Sequence, residues 1–288
     1  MTLVLIGPVC EDLIIIEGEK SSKVGGASFF QSFVYDEFYN DYLAIVNCSK
    51  ENLAESFPDK SKVKVIPKEE THYFINEYPN KDNLDIRNQS TNFADIPITA
   101  NDLKTIFNDL DDKLDDDFRI NGFVLNPLNS NDFTVETLDY LGSFNCPIYI
   151  SLQGFLRFID ENGSMELRTS NIINKINEIS DVVFLDESEA SIIKGTSLFE
   201  SIGPNLVITN GSKGSRILKS NDEIIKINTV KCDNIVDATG CGDTYMAAFI
   251  SSMMNGHDLE ESGNFASLIA SKKLEQFGPF KREWCFYF

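Results

Sequence analysis

The stretch "DATGCGDTYMAAF", from Asp237 to Phe249, places glycines and carboxylates directly before an apolar helix pattern. Tyr245 and Phe249 share one face of that pattern, so Gly240 and Gly242 lie at a helix N-terminus. There the first backbone amides lack intrahelical partners and the helix dipole is positive. Glycine lets a phosphate approach these amides closely. The pattern therefore predicts an anion hole suited to the charge on a transferred phosphoryl group.

The carboxylate of Asp243 directly follows the second glycine of this stretch. A carboxylate inside an anion hole repels phosphate, so a purely structural carboxylate at this position is counterproductive. A base that takes a proton from an attacking hydroxyl does belong beside a phosphoryl group in transfer. The alternative is that Asp243 is a helix N-cap, and one carboxylate can fill both roles.

The same stretch resembles the second signature of the PfkB, or ribokinase-like, carbohydrate kinases. That family transfers the γ-phosphoryl group of ATP to a hydroxyl of a sugar, a nucleoside or a related polyol. The resemblance implies that Asp243 is the catalytic base. It also implies that the backbone amides of Gly240, Cys241 and Gly242 form the anion hole.

Two N-terminal segments resemble the substrate side of the family's site. "GGASFFQ" matches a glycine pair that lies against the substrate, which implies this role for Gly25 and Gly26. "GPVCED" matches a segment whose last carboxylate binds substrate hydroxyls, which implies this role for Asp12. Phe30 stands where the family often has a substrate-binding Asn. Because a phenyl ring cannot make those hydrogen bonds, the sequence disfavours a plain ribose pocket.

The segment "DESE" follows a strand pattern and resembles the family's N-x-x-E motif, which governs magnesium and phosphate binding. The resemblance implies that Glu189 and Asp186 serve the metal. Asp186 replaces the usual Asn, so it keeps an oxygen ligand and adds a negative charge. The expected cofactors are ATP and Mg²⁺. The sequence leaves open whether a monovalent cation is also needed.

The segment "TNGSKG" resembles the family's nucleotide loop, which follows a late strand. The resemblance implies that Thr209, Gly211, Lys213 and Gly214 lie along the ribose and phosphates of ATP. Ser267 stands where many members have an Asn near the adenine. The preference for ATP over other nucleotides is therefore less strictly specified.

The segment "SLQGFLR" places Gln153 and Arg157 just after a strand pattern. Ligands bind at the carboxyl edge of parallel sheets in open α/β folds. The segment resembles a Q-G-x-x-R motif of PfkB-type proteins with archaeal and inositol-kinase-like character. Arg157 then holds a phosphate of substrate or donor in a bidentate manner. The alternative, a surface Arg paired with a nearby Asp or Glu, has equal weight in so acidic a chain.

Four other polar residues are weaker candidates for the site. Asn126 and Asn129 follow a strand in "NPLN", where they either bind substrate or form a turn. His72 belongs to a strand pattern of the proposed lid and His257 to a helix-end turn. For both histidines a packed or solvated side chain is the favoured interpretation.

Strand patterns alternate with helix patterns along the chain, which predicts a doubly wound α/β fold. The runs "FVLN", "VVFL" and "LVIT" are apolar on both faces, as in parallel strands covered by helices. We expect one ribokinase-like domain over residues 1–288, with a mostly parallel sheet flanked by helices. A small β-sheet lid is expected from about residues 11–18 and 62–92.

Two segments fit this scheme less well. The acidic run from Asn108 to Phe118 predicts a solvated helix end. A calcium loop is the sharper alternative, but the run lacks the D-x-[DN]-x-[DN]-G spacing. The aromatic C-terminal sequence "KREWCFYF" packs either on the core or on a partner, and the sequence does not decide between them.

The composition restricts the partners of the protein. A net charge of -20 argues against binding to nucleic acid or to an anionic membrane. The six cysteines form no C-x-x-C pair and there are two histidines, so structural zinc is not expected. Scattered single cysteines, no basic leader and no apolar run of about 20 residues indicate a cytoplasmic protein.

The sequence thus predicts an ATP-dependent kinase that phosphorylates a hydroxyl of a sugar, a nucleoside or a polyol, inositol-like polyols included. The alternative is a non-catalytic nucleotide- or sugar-binding regulator on the same fold. A Walker-type NTPase is disfavoured because no G-x-x-x-x-G-K-[ST] stretch exists. Since lids in this family often pair across dimers, the resemblance favours a homodimer.

Overall fold

The computed structural model describes residues 1–78, 88–111, 119–161, 164–200, 203–232 and 234–282, and the elements below lie in these ranges. The strands are β1 Thr2–Ile6, β2 Cys10–Ile16, β3 Glu19–Gly25, β4 Tyr42–Cys48, β5 Val63–Pro67, β6 His72–Tyr78, β7 Asn88–Thr91, β8 Ile120–Leu125, β9 Ile148–Ser151, β10 Arg157–Ile159, β11 Met165–Leu167, β12 Val182–Asp186, β13 Asn205–Thr209, β14 Ser215–Leu218 and β15 Ile224–Ile227. The helices are α1 Ala27–Phe38, α2 Ala100–Asp111, α3 Val135–Gly142, α4 Gln153–Leu156, α5 Ile172–Ile179, α6 Glu187–Ile193, α7 Ser197–Glu200, α8 Cys241–Met254 and α9 Leu259–Leu274.

The central sheet of the described chain has the strand order β15-β14-β13-β12-β9-β8-β1-β4-β5. The strands from β13 to β5 in this order are parallel to one another. β14 and β15 add an antiparallel edge. The predicted mostly parallel, doubly wound sheet is confirmed. Its parallel strands all end at one edge, which is where the candidate site forms.

The two faces of the sheet carry two separate apolar cores. In β1, Leu3 and Leu5 belong to the core under α1, α8 and α9, whereas Val4 and Ile6 belong to the core under α2, α3, α5 and α6. This alternation follows from the two-residue period of a strand. Because both faces are covered, the central strands are apolar at most positions. β4 is wholly buried, and its polar residue Asn47 donates to the carbonyl of Ile96.

A second sheet, with the order β3-β2-β6-β7, forms the lid and confirms that a small β lid exists. Its expected boundaries need two corrections. β5 pairs with β4 in the central sheet, so the range 62–92 begins too early. β3 pairs antiparallel with β2 and was left out. Its sequence "EKSSKVG" shows no apolar alternation, since backbone pairing rather than burial holds this largely exposed strand. Residues 79–87 lie outside the described ranges.

The two irregular segments are described only in part. α2 continues the acidic run as a helix up to Asp111, and residues 112–118 lie outside the described ranges. At the C-terminus, Phe280 is buried against Phe38, while residues 283–288 of the aromatic sequence are not described. Within the described residues, no helix is both long enough and apolar enough to cross a bilayer.

Candidate active site

The glycine loop forms the start of α8, as the sequence predicted. Gly240 is the N-cap of α8 in the left-handed conformation, with φ +73°, and no side chain caps the helix. A Cβ at Gly240 would lie 2.3 Å from the ring of Phe30. Both the backbone angle and the close ring therefore require glycine at this position.

The backbone amides at this helix start differ in whether they already have an acceptor. The amide of Cys241 donates to the carbonyl of Ala238 at 3.2 Å. Among the described residues, the amides of Gly240, Gly242 and Asp243 have no protein acceptor. The expectation that the Cys241 amide is open for an anion is therefore corrected, since the chain turns tightly enough to satisfy it locally. The unpaired amides point to a shift of the anion hole by one residue, towards Asp243.

Space for a ligand exists beside these amides. Gly242 is exposed, and a Cβ built on it would meet nothing within 4 Å. The neighbouring cleft has a volume of about 300 Å³. The residues that line it are Ser151, Gln153, Phe184, Leu185, Asp186, Glu189, Thr209, Gly242, Asp243, Tyr245 and Met246. Six of the residues singled out in the sequence thus meet in one cleft.

The carboxyl group of Asp243 is electrostatically unusual. Its pKa is raised from 3.8 to about 6. Burial is the main cause, the Arg157 guanidinium lowers the pKa, and the charge of Asp12 raises it. A carboxylate with a pKa near 6 is ionised at neutral pH and accepts a proton more readily than an ordinary Asp. Asp243 therefore has the charge state and basicity of a general base.

The substrate-side residues Asp12, Gly25 and Gly26 lie together at the foot of the lid. A Cβ at Gly25 would lie 2.5 Å from Oδ2 of Asp12, so glycine leaves room for that carboxylate. Gly26 has φ +104° and approaches the carbonyl of Pro8. The negative charge of Asp12 raises the pKa of Asp243, so the two carboxylates are electrostatically coupled.

Phe30 does not lie where the resemblance implied. Its side chain is 3% exposed and belongs to the core under α1 and α8. The ring contacts Gly240 and makes an edge contact with Phe29. The expected contact with substrate is therefore corrected: a ring without hydrogen-bonding groups packs inward and supports the glycine loop from below.

Arg157 lies at the junction of α4 and β10. Its Nη1 donates to the carbonyl of Leu128 at 3.3 Å, and its guanidinium lies over the ring of Phe74 at 5.6 Å. Its charge lowers the pKa values of both Asp243 and Glu189. The interpretation as an ordinary surface Arg is therefore disfavoured.

Asp186 and Glu189 form a reciprocal capping box at the start of α6. Oδ1 of Asp186 accepts from the Glu189 amide at 2.8 Å, and Oε2 of Glu189 accepts from the Asp186 amide at 2.9 Å. Burial raises the pKa of Glu189 to about 6, and a hydrogen bond from Gln153 counteracts this. The sequence signal for metal binding is therefore also a helix-start signal.

The carboxylates of Asp186 and Glu189 suit a magnesium ion that is also bound by water and phosphate better than they suit a metal bound only by protein side chains. Among the described residues, no three Asp, Glu, His or Cys side chains cluster as ligands. Both carboxylates nevertheless line the cleft, beside the unpaired amides. Mg²⁺ keeps several waters and is commonly bound through one or two carboxylates plus substrate phosphates. The donor set present is of this kind.

The proposed nucleotide loop follows β13. Thr209 lines the cleft, and Gly211, Lys213 and Gly214 continue along an exposed turn. Gly214 has φ +90°, and a Cβ there would lie 2.3 Å from the Ile227 carbonyl oxygen. This glycine is therefore required by the turn itself.

Ser267 does not line the cleft. Its hydroxyl donates to the carbonyl of Asn228 at 2.9 Å and accepts from the amide of Val230 at 3.2 Å. It joins α9 to the segment after β15. The role of Ser267 near an adenine stays a prediction.

The weaker candidates make contacts within the protein or lie at its surface. Asn126 is fully buried and exchanges hydrogen bonds with Gln31. Nε2 of His72 lies 3.0 Å from Oδ1 of Asp132, and its Nδ1 lies 3.1 Å from the side-chain Nδ2 of Asn129. His257 is exposed in the turn before α9. None of these four residues is among those that line the cleft.

Several cleft residues were not singled out from the sequence. Ser151 ends β9, and Phe184 and Leu185 lie in β12. Tyr245 and Met246 lie on the first turns of α8, where the apolar pattern predicted only core packing. The available signals were the position of Ser151, Phe184 and Leu185 near strand ends and the position of Tyr245 and Met246 just after Asp243.

A model of the pfkB family of carbohydrate kinases matches residues 119–282, which is more than half of the chain. The chain belongs to this family. The match contains the glycine loop, the capping box and the proposed nucleotide loop. The N-terminal Asp12 and glycine pair precede it.

The similarity to curated members of the family is local. The nucleoside kinase of Methanocaldococcus jannaschii is 40% identical over 73 residues, which are 25% of this chain and 24% of that protein. The nucleoside kinase of Methanothermobacter thermautotrophicus is 29% identical over 144 residues, 47% of this chain and 46% of that protein. The chain therefore spans less than half the length of these two relatives.

The similarity in fold extends over the whole chain. A pyrophosphate-dependent kinase in the ribokinase family, solved with a pyrophosphate analog and myo-inositol, superposes with a TM-score of 0.77. The superposition covers 98% of both chains at 21% identity. This likeness establishes a ribokinase-like fold for the family member described here.

Proposed function

We propose that the protein is a kinase that transfers the γ-phosphoryl group of ATP to a hydroxyl of a sugar, a polyol or a nucleoside. One observation carries the proposal. Asp243, with a pKa of about 6, borders a cleft in which the amides of Gly242 and Asp243 have no acceptor among the described residues. A base beside open amides at a helix N-terminus suits phosphoryl transfer to an alcohol.

In the proposed reaction Asp243 accepts the proton of the attacking hydroxyl. The amides of Gly242 and Asp243, together with the positive end of the α8 dipole, stabilise the negative charge on the transferring oxygens. Arg157 adds a positive charge on the same side of the cleft and keeps Asp243 ionised near neutral pH. Asp12 orients the acceptor through its hydroxyls.

Asp186 and Glu189 are the residues we propose for magnesium, with water between the carboxylates and the metal. When bound, the ion neutralises charge on the donor phosphates. Gln153 lines the same cleft, and its side chain lowers the pKa of Glu189. Thr209 and the turn from Gly211 to Gly214 are proposed to run along the donor nucleotide.

The acceptor side is proposed to be closed by the lid. Cys10 of β2, Phe74 of β6 and Leu128 form a small buried apolar cluster between the lid and the sheet edge. Apolar closure of this kind excludes water, which otherwise competes with the acceptor hydroxyl. A homodimer formed through the lid is our proposal for the assembly, and light scattering in solution tests it.

The test is a matrix of donors and acceptors with purified protein. ATP and pyrophosphate are offered as donors, because a pyrophosphate-dependent kinase shares the fold. Inositols, other polyols, sugars and nucleosides are offered as acceptors, and product is detected by mass. We expect ATP-dependent phosphorylation of one acceptor class.

Asp243→Asn serves as the control in this matrix. Product that forms equally with wild type and with Asp243→Asn contradicts the assignment of the base. Binding of nucleotide or sugar without any product supports the alternative, a non-catalytic regulator. The intact Asp243 at the cleft favours the kinase, because a regulator has no need for a base with a raised pKa.

A further inference from the structure

A fully buried ammonium group lies beneath the glycine loop. The side chain of Lys273, in the last turn of α9, is 0% exposed, whereas its neighbour Lys272 is 30% exposed and pairs with Glu275. Lysine is almost never fully buried unless it is paired. The partners of Lys273 therefore indicate what the buried charge does.

Both partners of Lys273 belong to one residue of the glycine loop. Nζ donates to the backbone carbonyl of Asp237 at 2.7 Å and lies 3.7 Å from its Oδ2. The Asp237 carboxylate also accepts from the amides of Thr239 at 2.8 Å and Gly278 at 3.0 Å. A carbonyl oxygen and a carboxylate thus surround one compact positive charge.

This charge lies close to the start of α8. The loop from Asp237 leads directly into Cys241, whose Sγ contacts the carbonyl of Ala270 in α9. Burial raises the pKa of the Cys241 thiol to about 11, and the Lys273 charge counteracts this, so the two groups are neighbours. Lys273 of α9 therefore contacts the loop that leads into the start of α8.

Asp237 explains why a cation is needed there. Its side chain is 10% exposed, and its pKa is lowered despite burial because the Thr239 and Gly278 amides and the Lys273 charge favour the ionised form. Without a cation beside it, the Asp237 carboxylate would place a negative charge beneath the proposed phosphate site. A cation beside it cancels that charge and fixes the loop carbonyl.

We propose that Lys273 is a positioning residue that supplies the glycine loop with a cation built into the chain, so that phosphoryl transfer needs no dissolved monovalent cation. The inference rests on the proposed kinase function. The inference goes beyond the proposed kinase function, because it assigns the role of a monovalent cation to a side chain that contacts neither substrate.

The first test uses the wild-type protein. Turnover and the midpoint of thermal unfolding are measured in KCl, NH₄Cl and tetramethylammonium chloride at one ionic strength of about 0.1 M. We expect turnover to agree among the three salts within about twofold, and the unfolding midpoint to be the same in each salt. A stimulation of about tenfold by K⁺ or NH₄⁺ over tetramethylammonium overturns the proposal.

The second test uses Lys273→Ala, with Lys272→Ala as the matched control. In tetramethylammonium, which is too large for the vacated space, we expect kcat to fall by about tenfold to a hundredfold. We expect KM for the donor to rise and KM for the acceptor to stay unchanged. NH₄⁺ or K⁺ should restore part of the lost turnover in Lys273→Ala and leave Lys272→Ala unaffected.

Wild-type kinetics of Lys273→Ala in tetramethylammonium overturn the proposal, as does a loss of turnover that no small cation restores. Where Lys273→Ala does not fold, Lys273→Met retains the packing, and the wild-type salt series decides. Where the wild type transfers no phosphoryl group from any donor, the proposed function fails by itself. The cation-dependent unfolding midpoint of Lys273→Ala still tests the role of the cation.

Discussion

At the scale of single residues, the chemistry of the site depends on one carboxyl group whose charge is costly in the folded protein. Replacing Asp243 with Asn removes the base, so we expect kcat to fall about a thousandfold while the donor still binds. Turnover under saturating donor and a separate donor titration measure the two effects. Wild-type turnover in this variant contradicts the assignment.

The same substitution should stabilise the fold in one range of pH. The folded pKa of Asp243, about 6, lies above its unfolded value of 3.8, so ionisation is harder in the folded state. Stability from this group is present below the unfolded pKa and is lost as the pH rises through the folded pKa. Asp243→Asn should therefore be more stable by about 1–3 kcal/mol near pH 8 and equal to wild type near pH 3. Urea unfolding at the two pH values measures this.

Arg157 gives a second prediction for this carboxyl group. Because its charge lowers the pKa of Asp243, Arg157→Met should move the acid limb of kcat/KM upwards by about one pH unit. The control is Arg168→Met, which removes an exposed guanidinium paired with Glu166. An acid limb that moves equally in both variants, or in neither, contradicts the electrostatic role of Arg157.

The sequence brought together residues that the fold places side by side. Asp243, Glu189 and Gln153 were chosen from local motifs, from a family resemblance and from the strands that precede them, and all three line the cleft. Phe30 and the Cys241 amide were misassigned because their roles depend on packing direction and on one local turn. Lys273 gave no signal, since burial of a helical Lys depends on which face the fold covers.

At the scale of elements, two helices begin with the same kind of capping box. Comparing them distinguishes the role of such a box in capping a helix from a role in catalysis. α6 begins with the Asp186–Glu189 capping box, and α9 begins with a second box formed by Asp258 and Glu261. Only the box of α6 lines the cleft. A comparison of the two boxes therefore isolates any role of the first in magnesium binding.

Glu189→Gln and Glu261→Gln form the matched pair for this comparison. Glutamine still accepts a hydrogen bond from the N-cap amide, so both helices should keep their stability within about 1 kcal/mol. Glu189→Gln should raise the magnesium concentration for half-maximal activity about tenfold, and Glu261→Gln should not change it. Magnesium titrations of turnover measure this, and equal curves for the two variants contradict the metal role.

Elements were predictable where burial imposes a pattern. The central strands carry apolar residues on both faces, and their order along the chain sufficed for a doubly wound sheet. β3 and β5 were misassigned because edge strands are held by backbone pairing, which leaves little trace in side-chain type. The alternation in "KVKVI" suits an edge of either sheet equally well.

At the scale of the whole molecule, the lid and the central sheet are joined through a buried polar contact. His72 begins the lid strand β6, and Asp132 belongs to the segment after β8; both side chains are 0% exposed. Oδ2 of Asp132 accepts from the amides of Leu128 and Asn129. The carbonyl of Leu128 in turn accepts from Arg157. The base of the lid is thus connected to the site through one short segment.

This connection predicts a coupled loss of stability and of selectivity against water. His72→Ala leaves the Asp132 carboxylate buried without the imidazole, which should cost about 3 kcal/mol of unfolding free energy. A looser lid base should also admit water, so the ratio of ATP hydrolysis to acceptor phosphorylation should rise about tenfold. His257→Ala, which removes an exposed imidazole beside Glu261, should change neither quantity. If His72→Ala loses stability while its hydrolysis ratio stays at the wild-type value, this contact holds the fold but does not control closure of the lid.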